Sequence, residues 1–337
     1  MTDTPIQVVV AMDFDDALIE QLRAISPRLQ VERHFPTVPE RVWANAEVLY
    51  TLRTFPLPEQ APRLRWIQMH TAGIDHVAQV PIVQAEDVDL TTASGIHAVQ
   101  MAEYCIAMML AFNYQLPKML AFQARAEWPQ NPYAIFAPRE LRDQTLGIVG
   151  YGSIGRELAR QADALGMAVL ATKRNAMRPA DDNVYGAAGT GDPEGNIPKR
   201  LYPPEALTSM VRECDFLVLT IPLTETTRSL INAAVLAAMK PTAVLINVAR
   251  GGVVDEAALI SALAANRIAG AALDVFDAEP LPSTSPLWNL NNVIISPHIS
   301  GSSNRYHAKV AALFAENLTR YLDNRPLLNL VRREFGY

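Results

Sequence analysis

The stretch Leu146-Gly147-Ile148-Val149-Gly150-Tyr151-Gly152-Ser153-Ile154-Gly155 decides the fold of this 337-residue chain. It places a G-x-G-x-x-G pattern directly after a strand-like run and at the start of a helical one. Glycine suits each point, because Gly150 permits a tight turn, Gly152 lets backbone approach a pyrophosphate, and Gly155 lets helix pack on strand. The helix start also offers unpaired N–H groups and a positive dipole end to phosphates. The pattern predicts a dinucleotide site, although an ordinary tight turn would carry the same letters.

The composition around this cluster indicates two packed domains. Only 16 of the 337 residues are glycine, below the usual ~7%, so the cluster marks a place where bare backbone is needed. Half of the residues are hydrophobic and 19% are charged, which excludes a disordered or fibrous chain. At about 150 residues per domain, the length predicts two domains.

The charge balance and the terminal sequence restrict the partners. A net charge of −6 argues against a nucleic-acid or anionic-membrane surface. We see no signal peptide and no apolar run long enough for a membrane span. Cys105 and Cys214 lie in apolar contexts that are typical of core thiols. We therefore expect a soluble, cytoplasmic protein that binds neither nucleic acid nor membrane.

Short β-rich runs alternate with helical patterns, which predicts parallel α/β sheets. In the first hundred residues, the predicted elements are strands Ile6–Ala11, Glu47–Thr51 and Arg65–Met69 and a helix over Asp15–Ile25. Six later strands are Leu146–Val149, Ala168–Thr172, Phe216–Thr220, Ala243–Asn247, Ala271–Val275 and Val293–Ser296. Helices between them include Gly155–Leu165 and Asp255–Ala265, with Asp255 as the expected N-cap. This rhythm describes a doubly wound dinucleotide-binding sheet.

Four other segments lie outside that rhythm. A helix without glycine or proline is predicted over Ala98–Phe112, and Trp128–Pro138 is interpreted as an arm or loop; both suit the interface of a homodimer. Met177–Pro204 is interpreted as a long surface loop, a solvated insertion without function. The final segment, Asn304–Leu322, is predicted to be a helix that packs back on the first domain.

The end of the second predicted strand bears on the cofactor. An NAD site usually has Asp or Glu there to hold the ribose hydroxyls. This chain has Lys173 and Arg174 instead, and their charges would attract a 2′-phosphate. We therefore favour NADP(H) over NAD(H), with two merely solvated basic residues as the alternative.

Three polar residues follow predicted strands in the second half: Arg250, Glu279 and His298. Open α/β sheets bind their ligands at the carboxyl ends of the strands. An arginine there can hold a carboxylate or polarise a carbonyl, a histidine can pass a proton, and a glutamate can orient the histidine ring. Taken singly, each residue could equally form a structural salt bridge or a cap.

The motifs together resemble a known family. Gly150–Gly155, Asn247–Asp255, Ala272–Phe276 with Glu279-Pro280, and Ser296-Pro297-His298 resemble the D-isomer-specific 2-hydroxyacid dehydrogenases in order and spacing, over nearly the whole chain. The resemblance implies two Rossmann-like or flavodoxin-like doubly wound parallel-sheet domains with a cleft between them. It places the discontinuous substrate (catalytic) domain at residues 1–100 and 300–337 and the dinucleotide-binding Rossmann domain at 101–299.

The resemblance also implies roles for individual residues. Arg250 would bind the substrate carboxylate and carbonyl, His298 would be the acid and base, Glu279 would be its partner, and Asp274 would hold the nicotinamide carboxamide. The backbone of Ala72 and Gly73 would bind the substrate carboxylate, with Leu52-Arg53 a weaker candidate. The further residues expected at the cofactor are Ser153, Ile154, Thr220, Pro222, Ala249 and Gly301. Thr220 departs from the family, many members of which carry His or Cys there. No metal is expected, since His70, His76 and His97 lack ligand-like spacing to Cys or carboxylates.

Within the family, the run from Glu279 to Trp288 looks most like the glyoxylate/hydroxypyruvate reductase branch. We therefore expect an oxidoreductase that transfers a hydride between NADPH and a small 2-oxo acid. The alternative is an NAD(P)-sensing binding protein like the family's corepressors, which keep the same triad. A formate dehydrogenase-like enzyme is a second rival, but that branch carries Gln where this chain has Glu279.

Overall fold

The structure, a computed structural model, describes residues 4–181 and 184–333, and these form two compact units. The first unit comprises residues 4–96, 184–187 and 303–333, and the second comprises His97–Asp181 and Ala188–Ser302. Residues 184–187, which the sequence placed in the nucleotide-binding domain, group with the first unit. Residues 182 and 183 of the predicted loop, and residues 1–3 and 334–337 of the predicted substrate domain, lie outside the described residues.

The first unit is built on a five-stranded parallel sheet with the order β2-β1-β3-β4-β5. Its strands are β1 (Ile6–Ala11), β2 (Leu29–Arg33), β3 (Val48–Thr51), β4 (Trp66–Met69) and β5 (Asp89–Thr91). Its helices are α1 (Asp16–Arg23), α2 (Glu40–Trp43), α3 (Pro81–Gln84) and a 3₁₀ turn at Pro58–Gln60, with a last helix at Tyr306–Leu322. The three predicted strands are present, and β2 and β5 were not predicted.

The core of this unit forms because its helices repeat apolar residues along one face, which packs against the sheet. Asp15 caps α1 by accepting a 2.8 Å hydrogen bond from the Leu18 amide, and the helix buries Leu18, Ile19 and Leu22. The helix at Tyr306–Leu322 buries Phe314 in the same hydrophobic cluster as Tyr50 and Trp66. The C-terminal segment therefore packs back on the first sheet, as the sequence predicted.

The second unit is a seven-stranded parallel sheet with the order β12-β11-β10-β9-β6-β7-β8. Its strands are β6 (Thr145–Val149), β7 (Ala168–Thr172), β8 (Arg200–Tyr202), β9 (Phe216–Leu219), β10 (Val244–Asn247), β11 (Gly270–Leu273) and β12 (Val293–Ile295). Two parallel-sheet α/β domains are thus confirmed as the fold class. The strand β8 corrects the prediction of six strands, because it lies inside the segment interpreted as a loop.

The second unit also contains the helices α4 (Ala98–Asn113), α5 (Leu116–Ala124), α6 (Pro132–Phe136), α7 (Ser153–Ala164), α8 (Leu207–Val211), α9 (Ala233–Ala238) and α10 (Glu256–Ala264). The helix of the first unit at Tyr306–Leu322 is α11 in chain order. Three short 3₁₀ turns are Pro204–Ala206, Gly251–Val253 and Pro286–Asn289. Asp255 caps α10 as predicted, accepting from the Ala258 amide at 3.0 Å. The predicted arm at Trp128–Pro138 contains α6, so it is not wholly irregular.

The described residues between β7 and β8, 173–181 and 184–199, are bonded to the glycine-rich turn at Pro179, Asp181 and Asp192, so the interpretation as a merely solvated insertion is wrong. Arg156 follows the last glycine of the turn and is only 4% exposed. Its guanidinium donates to Asp181 at 2.9 Å and to the carbonyls of Pro179 and Asp192. Tyr151, inside the turn, donates to Asp192 at 2.5 Å. The ion pair between Arg156 and Asp181 and these added hydrogen bonds fix the segment in place.

Two further findings concern the cysteines and the hydropathy of the helices. Cys105 and Cys214 are both buried and unbridged, as predicted, and burial raises the pKa of both thiols, with that of Cys214 at about 12. Among the helices of the described chain, none is long and apolar enough to cross a membrane.

Candidate active site

The glycine-rich turn has the shape that a dinucleotide phosphate requires. Gly150 leaves β6 with φ +102°, a conformation that side chains rarely adopt. A Cβ on Gly155 would lie 2.4 Å from the Gly150 carbonyl oxygen, so α7 packs directly on the turn. A Cβ on Gly152 would meet nothing within 4 Å, so open space lies at the start of α7. The helix amides that begin at Ser153 border this space, which fits an anionic pyrophosphate.

Thr220 supports the turn from the neighbouring strand. It follows β9, and its hydroxyl donates to the carbonyl of Gly150 at 2.7 Å. A Cβ on Gly150 would also collide with the Ile221 side chain at 2.5 Å. Thr220 therefore contributes to the cofactor site by shaping the turn, and its hydroxyl proton is used for that purpose.

At the end of β7, Lys173 and Arg174 have different surroundings. The Lys173 ammonium donates to the carbonyls of Pro179 and Ala180, both at 3.1 Å, and to Asp181 at 2.5 Å. An ammonium has three N–H donors, and these three oxygens take them all. Lys173 thus anchors the 173–199 segment and has no donor left for a 2′-phosphate, whereas Arg174 lies exposed at the surface.

Arg250 lies in a turn that the end of β10 fixes. The Asn247 side-chain amide donates to the Arg250 carbonyl at 3.1 Å, and the Asn247 side-chain oxygen accepts from the Ala249 amide at 3.0 Å. The next residue, Gly251, packs against the backbone of Phe276, since a Cβ there would lie 2.1 Å from the Phe276 carbonyl oxygen. This close approach brings the Arg250 turn against the loop that follows β11 and carries Glu279.

His298 and Glu279 form a hydrogen-bonded pair. His298 Nδ1 lies 2.7 Å from Glu279 Oε2, and Glu279 Oε1 accepts from the Phe276 amide at 3.0 Å. The His298 side chain is 48% exposed and that of Glu279 is 35% exposed. A carboxylate on Nδ1 selects the tautomer with the proton there, so Nε2 is the nitrogen left to face a substrate.

Asp274 is bonded to the loop that carries His298. Its carboxylate is buried and accepts from the Ser296 hydroxyl at 2.5 Å and from the amides of Ile299 and Ser300, both at 2.9 Å. The carboxylate therefore holds this loop, and its contact with the nicotinamide carboxamide stays a prediction.

The remaining predicted cofactor residues lie in loops of the second unit. Ala249 is buried beside Arg250, and Pro222 follows β9 and accepts from the Thr227 hydroxyl through its carbonyl at 2.7 Å. The Gly301 carbonyl accepts from His97 at 3.0 Å and from Gln100 at 3.1 Å. Within the described ranges, no group of three or more His, Cys, Asp or Glu side chains could hold a metal ion.

The predicted carboxylate loop belongs to the first unit. Ala72 and Gly73 follow β4, and the Thr71 hydroxyl donates to the Gly73 carbonyl at 2.8 Å. Leu52-Arg53 follow β3, which pairs in parallel with β4, so both segments leave the same edge of the first sheet. Parallel sheets of this kind bind ligands at that edge.

A dinucleotide turn and a histidine–glutamate pair at the carboxyl ends of parallel strands define a nicotinamide-dependent oxidoreductase. Residues 106–300 match the family model described as D-isomer specific 2-hydroxyacid dehydrogenase, NAD binding domain. The chain therefore belongs to the D-isomer-specific 2-hydroxyacid dehydrogenases, and it is an enzyme of that class.

Individual relatives agree with the predicted branch. The chain is 34% identical to a glyoxylate reductase of Aeropyrum pernix over 86% of this chain and 84% of that protein. It is 35% identical to an (S)-sulfolactate dehydrogenase of Chromohalobacter salexigens, over 78% and 79%. An NADPH-dependent glyoxylate/hydroxypyruvate reductase from Sinorhizobium meliloti, solved with NADP and sulfate, superposes with a TM-score of 0.77 at 27% identity, over 98% of this chain and all of that chain. The family and its glyoxylate reductase branch are thus confirmed.

The Glu279→Gln substitution tests the histidine–glutamate pair. Glutamine keeps the shape and the bond to Phe276 but removes the charged acceptor that holds His298 Nδ1. We expect kcat for 2-oxo acid reduction to fall about 10- to 150-fold, since a hydrogen bond to a charged group is worth about 1.5–3 kcal/mol. Glu32→Gln is the matched control, because Glu32 pairs with His34 at 3.0 Å on β2. An unchanged kcat for Glu279→Gln, measured by loss of nicotinamide absorbance, would contradict this role.

Proposed function

We propose that this enzyme catalyses reversible hydride transfer between NADPH and C2 of a small 2-oxo acid, with glyoxylate and hydroxypyruvate as the first candidates. The 2.7 Å bond between His298 Nδ1 and Glu279 carries the proposal, because reduction of a carbonyl needs a positioned proton donor. The relatives named glyoxylate reductase and (S)-sulfolactate dehydrogenase support substrates that are 2-oxo or 2-hydroxy acids.

The proposed cofactor site is the glycine-rich turn. The amides at the start of α7 would hold the pyrophosphate in the space beside Gly152. Ala249, Pro222 and Gly301 are the further proposed contacts, in loops of the same unit. When bound, the reduced nicotinamide supplies the hydride.

In the proposed reaction, His298 donates a proton from Nε2 to the oxygen at C2, and Glu279 balances the charge on the ring. Arg250 binds the substrate carboxylate and stabilises the oxygen as negative charge develops on it, which is usually the larger electrostatic contribution. The backbone amides of Ala72 and Gly73 are proposed to bind the carboxylate as well, on the strength of the family resemblance. In the oxidative direction His298 accepts the proton back.

We favour the enzyme over a corepressor-like binding protein because the curated relatives that match over most of the chain carry names of enzymes. Glu279 disfavours the formate dehydrogenase-like alternative, because the pair with His298 uses a carboxylate rather than an amide.

The first test measures reduction of 2-oxo acids by the purified protein and by a variant without the His298 side chain. We expect reduction of glyoxylate or hydroxypyruvate, and we expect His298→Ala to lose about 10²–10⁴-fold in kcat while its Kd for NADPH stays unchanged. His34→Ala is the control, since His34 also pairs with a carboxylate but lies in the first unit, directly after β2. Absence of turnover with a panel of 2-oxo acids would refute the proposed function, and near-normal kcat in His298→Ala would refute the role of His298.

The preference for NADPH rests on the proposal that Arg174 binds the 2′-phosphate. Arg174 follows β7, where the ribose-binding residue of such sheets lies, and no acidic residue stands beside it in the sequence. The Sinorhizobium meliloti relative, described as NADPH-dependent, supports the same preference.

Titration of the two cofactors tests this assignment. We expect Arg174→Met to raise the Kd for NADPH about 10- to 150-fold, the loss of one charge-assisted hydrogen bond, and to leave the Kd for NADH unchanged. Arg178→Met removes the same charge four residues later and is the control. Lys173→Met is expected to leave the ratio of the two Kd values unchanged, because Lys173 already binds Asp181. A ratio of the two Kd values that changes in Lys173→Met but not in Arg174→Met would contradict the assignment.

We also propose a homodimer formed through the segment from α4 to α6. Trp128 is 87% exposed and Tyr133 is 89% exposed, and three more large apolar side chains nearby are exposed: Tyr114, Leu116 and Leu120. A cavity of about 500 Å³ lies beside this segment, with Phe112 and Lys118 among its lining residues. Clustered exposed aromatic residues mark protein interfaces, and a second copy of the chain is the proposed occupant.

The mass in solution tests the dimer. We expect light scattering to give twice the 37.0 kDa of the chain, and the double variant Trp128→Ser with Tyr133→Ser to give a single-chain mass at low concentration. Leu57→Ser, at an exposed leucine of the first unit, is the control. A wild-type protein that remains monomeric at high micromolar concentration would contradict the proposal.

A further inference from the structure

The loop that carries His298 is attached to helix α4 at two points. Near its start, the Ser296 hydroxyl lies 2.6 Å from the hydroxyl of Tyr104. At its end, the Gly301 carbonyl accepts from His97 and Gln100. Residues 97, 100 and 104 share one face of the helix, because they are three and seven residues apart. All of these residues belong to the second unit.

The hydroxyl chain has a fixed direction. Ser296 has a single hydroxyl proton and donates it to Asp274 at 2.5 Å, because a carboxylate only accepts. The Tyr104 hydroxyl must therefore donate to Ser296. Burial raises the pKa of Tyr104 to about 12, so the phenol keeps its proton at neutral pH.

Asp274 links this chain to the backbone on both sides of His298. Its carboxylate accepts from the amides of Ile299 and Ser300, and its carbonyl accepts from the His298 amide at 2.9 Å. His298 itself has φ +53°, a conformation that a non-glycine residue adopts only when its surroundings hold it. The carboxylate therefore supplies the interactions that keep the backbone of His298 in this unusual conformation.

We propose that Tyr104 is a positioning residue that acts through Ser296 and Asp274 to hold His298 against Glu279. The Tyr104 hydroxyl fixes the Ser296 hydroxyl in the orientation that donates to Asp274. Asp274 in turn fixes the amides that follow His298. This role of Tyr104 rests on the proposed function at one point, which is that His298 is the proton donor.

A purely structural tyrosine would give a different result on removal of its hydroxyl. Tyr321 provides the comparison, because its hydroxyl donates at 2.9 Å to Glu47, within the first unit, rather than to the loop of His298. Loss of either hydroxyl removes one partly buried hydrogen bond made by a tyrosine. Only Tyr104 connects to the loop of His298.

The kinetic test compares Tyr104→Phe with Tyr321→Phe. We expect Tyr104→Phe to lower kcat for 2-oxo acid reduction about 10- to 10²-fold, the loss that a displacement of about 1 Å produces. The KM for NADPH should stay unchanged, because the glycine-rich turn is not part of this chain of hydrogen bonds and His97 and Gln100 still hold Gly301. Tyr321→Phe should leave both kcat and KM unchanged. Equal kcat in Tyr104→Phe and wild type would overturn the proposal.

A double-mutant cycle tests whether Tyr104 acts through Ser296. Ser296→Ala should lower kcat, and adding Tyr104→Phe to it should lower kcat no further, because the path is already broken. Independent, multiplicative losses would overturn this path.

Nuclear magnetic resonance of labelled histidine provides a readout that does not need turnover. The wild-type protein should show a downfield proton on His298 Nδ1 from its short bond to Glu279, assigned by its loss in His298→Ala. Tyr104→Phe should lose or shift that signal, and Tyr321→Phe should keep it. If the wild type shows the signal but reduces no 2-oxo acid, the proposed function fails alone; if Tyr104→Phe keeps the wild-type signal, the positioning role fails alone.

Discussion

The site depends on one constraint, which is that four neighbouring parallel strands, β9 to β12, end at the same level in the sheet. Asn247 pairs with Leu219 on one side and Leu273 on the other, and Leu273 pairs with Ile295. Parallel pairing in this register makes the chain leave all four strands at one edge of the sheet. The turns that follow carry Arg250, Glu279 and His298, and Gly251 lets the first two turns pack backbone to backbone. The chemistry of the proton donor follows from this edge.

The sequence predicted those features that a local pattern of residues or the end of an apolar strand indicates. The glycine-rich turn, most strands of both sheets and the three polar residues at the edge were found this way, because each follows an apolar run. The strand β8 was missed, because Arg200–Tyr202 is three residues long and lies between prolines. The attachment of the 173–199 segment was missed too, since the charges of Arg156 and Lys173 give no sign in the sequence that Asp181 lies between them.

The features of the site that the sequence did not predict depend on contacts between residues far apart in the chain. Tyr104 and Ser296 are 192 residues apart, and no spacing rule relates a tyrosine inside an apolar helix to a serine before a proline. Asp274 could be named from the family resemblance, but its partners could not. Its burial gives it a structural task beside the pair of His298 and Glu279, and the same helix that holds this loop continues into the exposed segment proposed as the dimer interface.

Isotope transfer tests the central claim, direct hydride delivery to C2 beside a proton donated by His298, most directly. The measurement uses hydroxypyruvate and NADPH deuterated at the transferable position of C4, with mass spectrometry and proton NMR of the product. We expect one deuterium per product molecule, bound at C2, and no incorporation there from deuterated water. Product that takes its C2 hydrogen from solvent, or cofactor oxidation without reduction of C2, would contradict it.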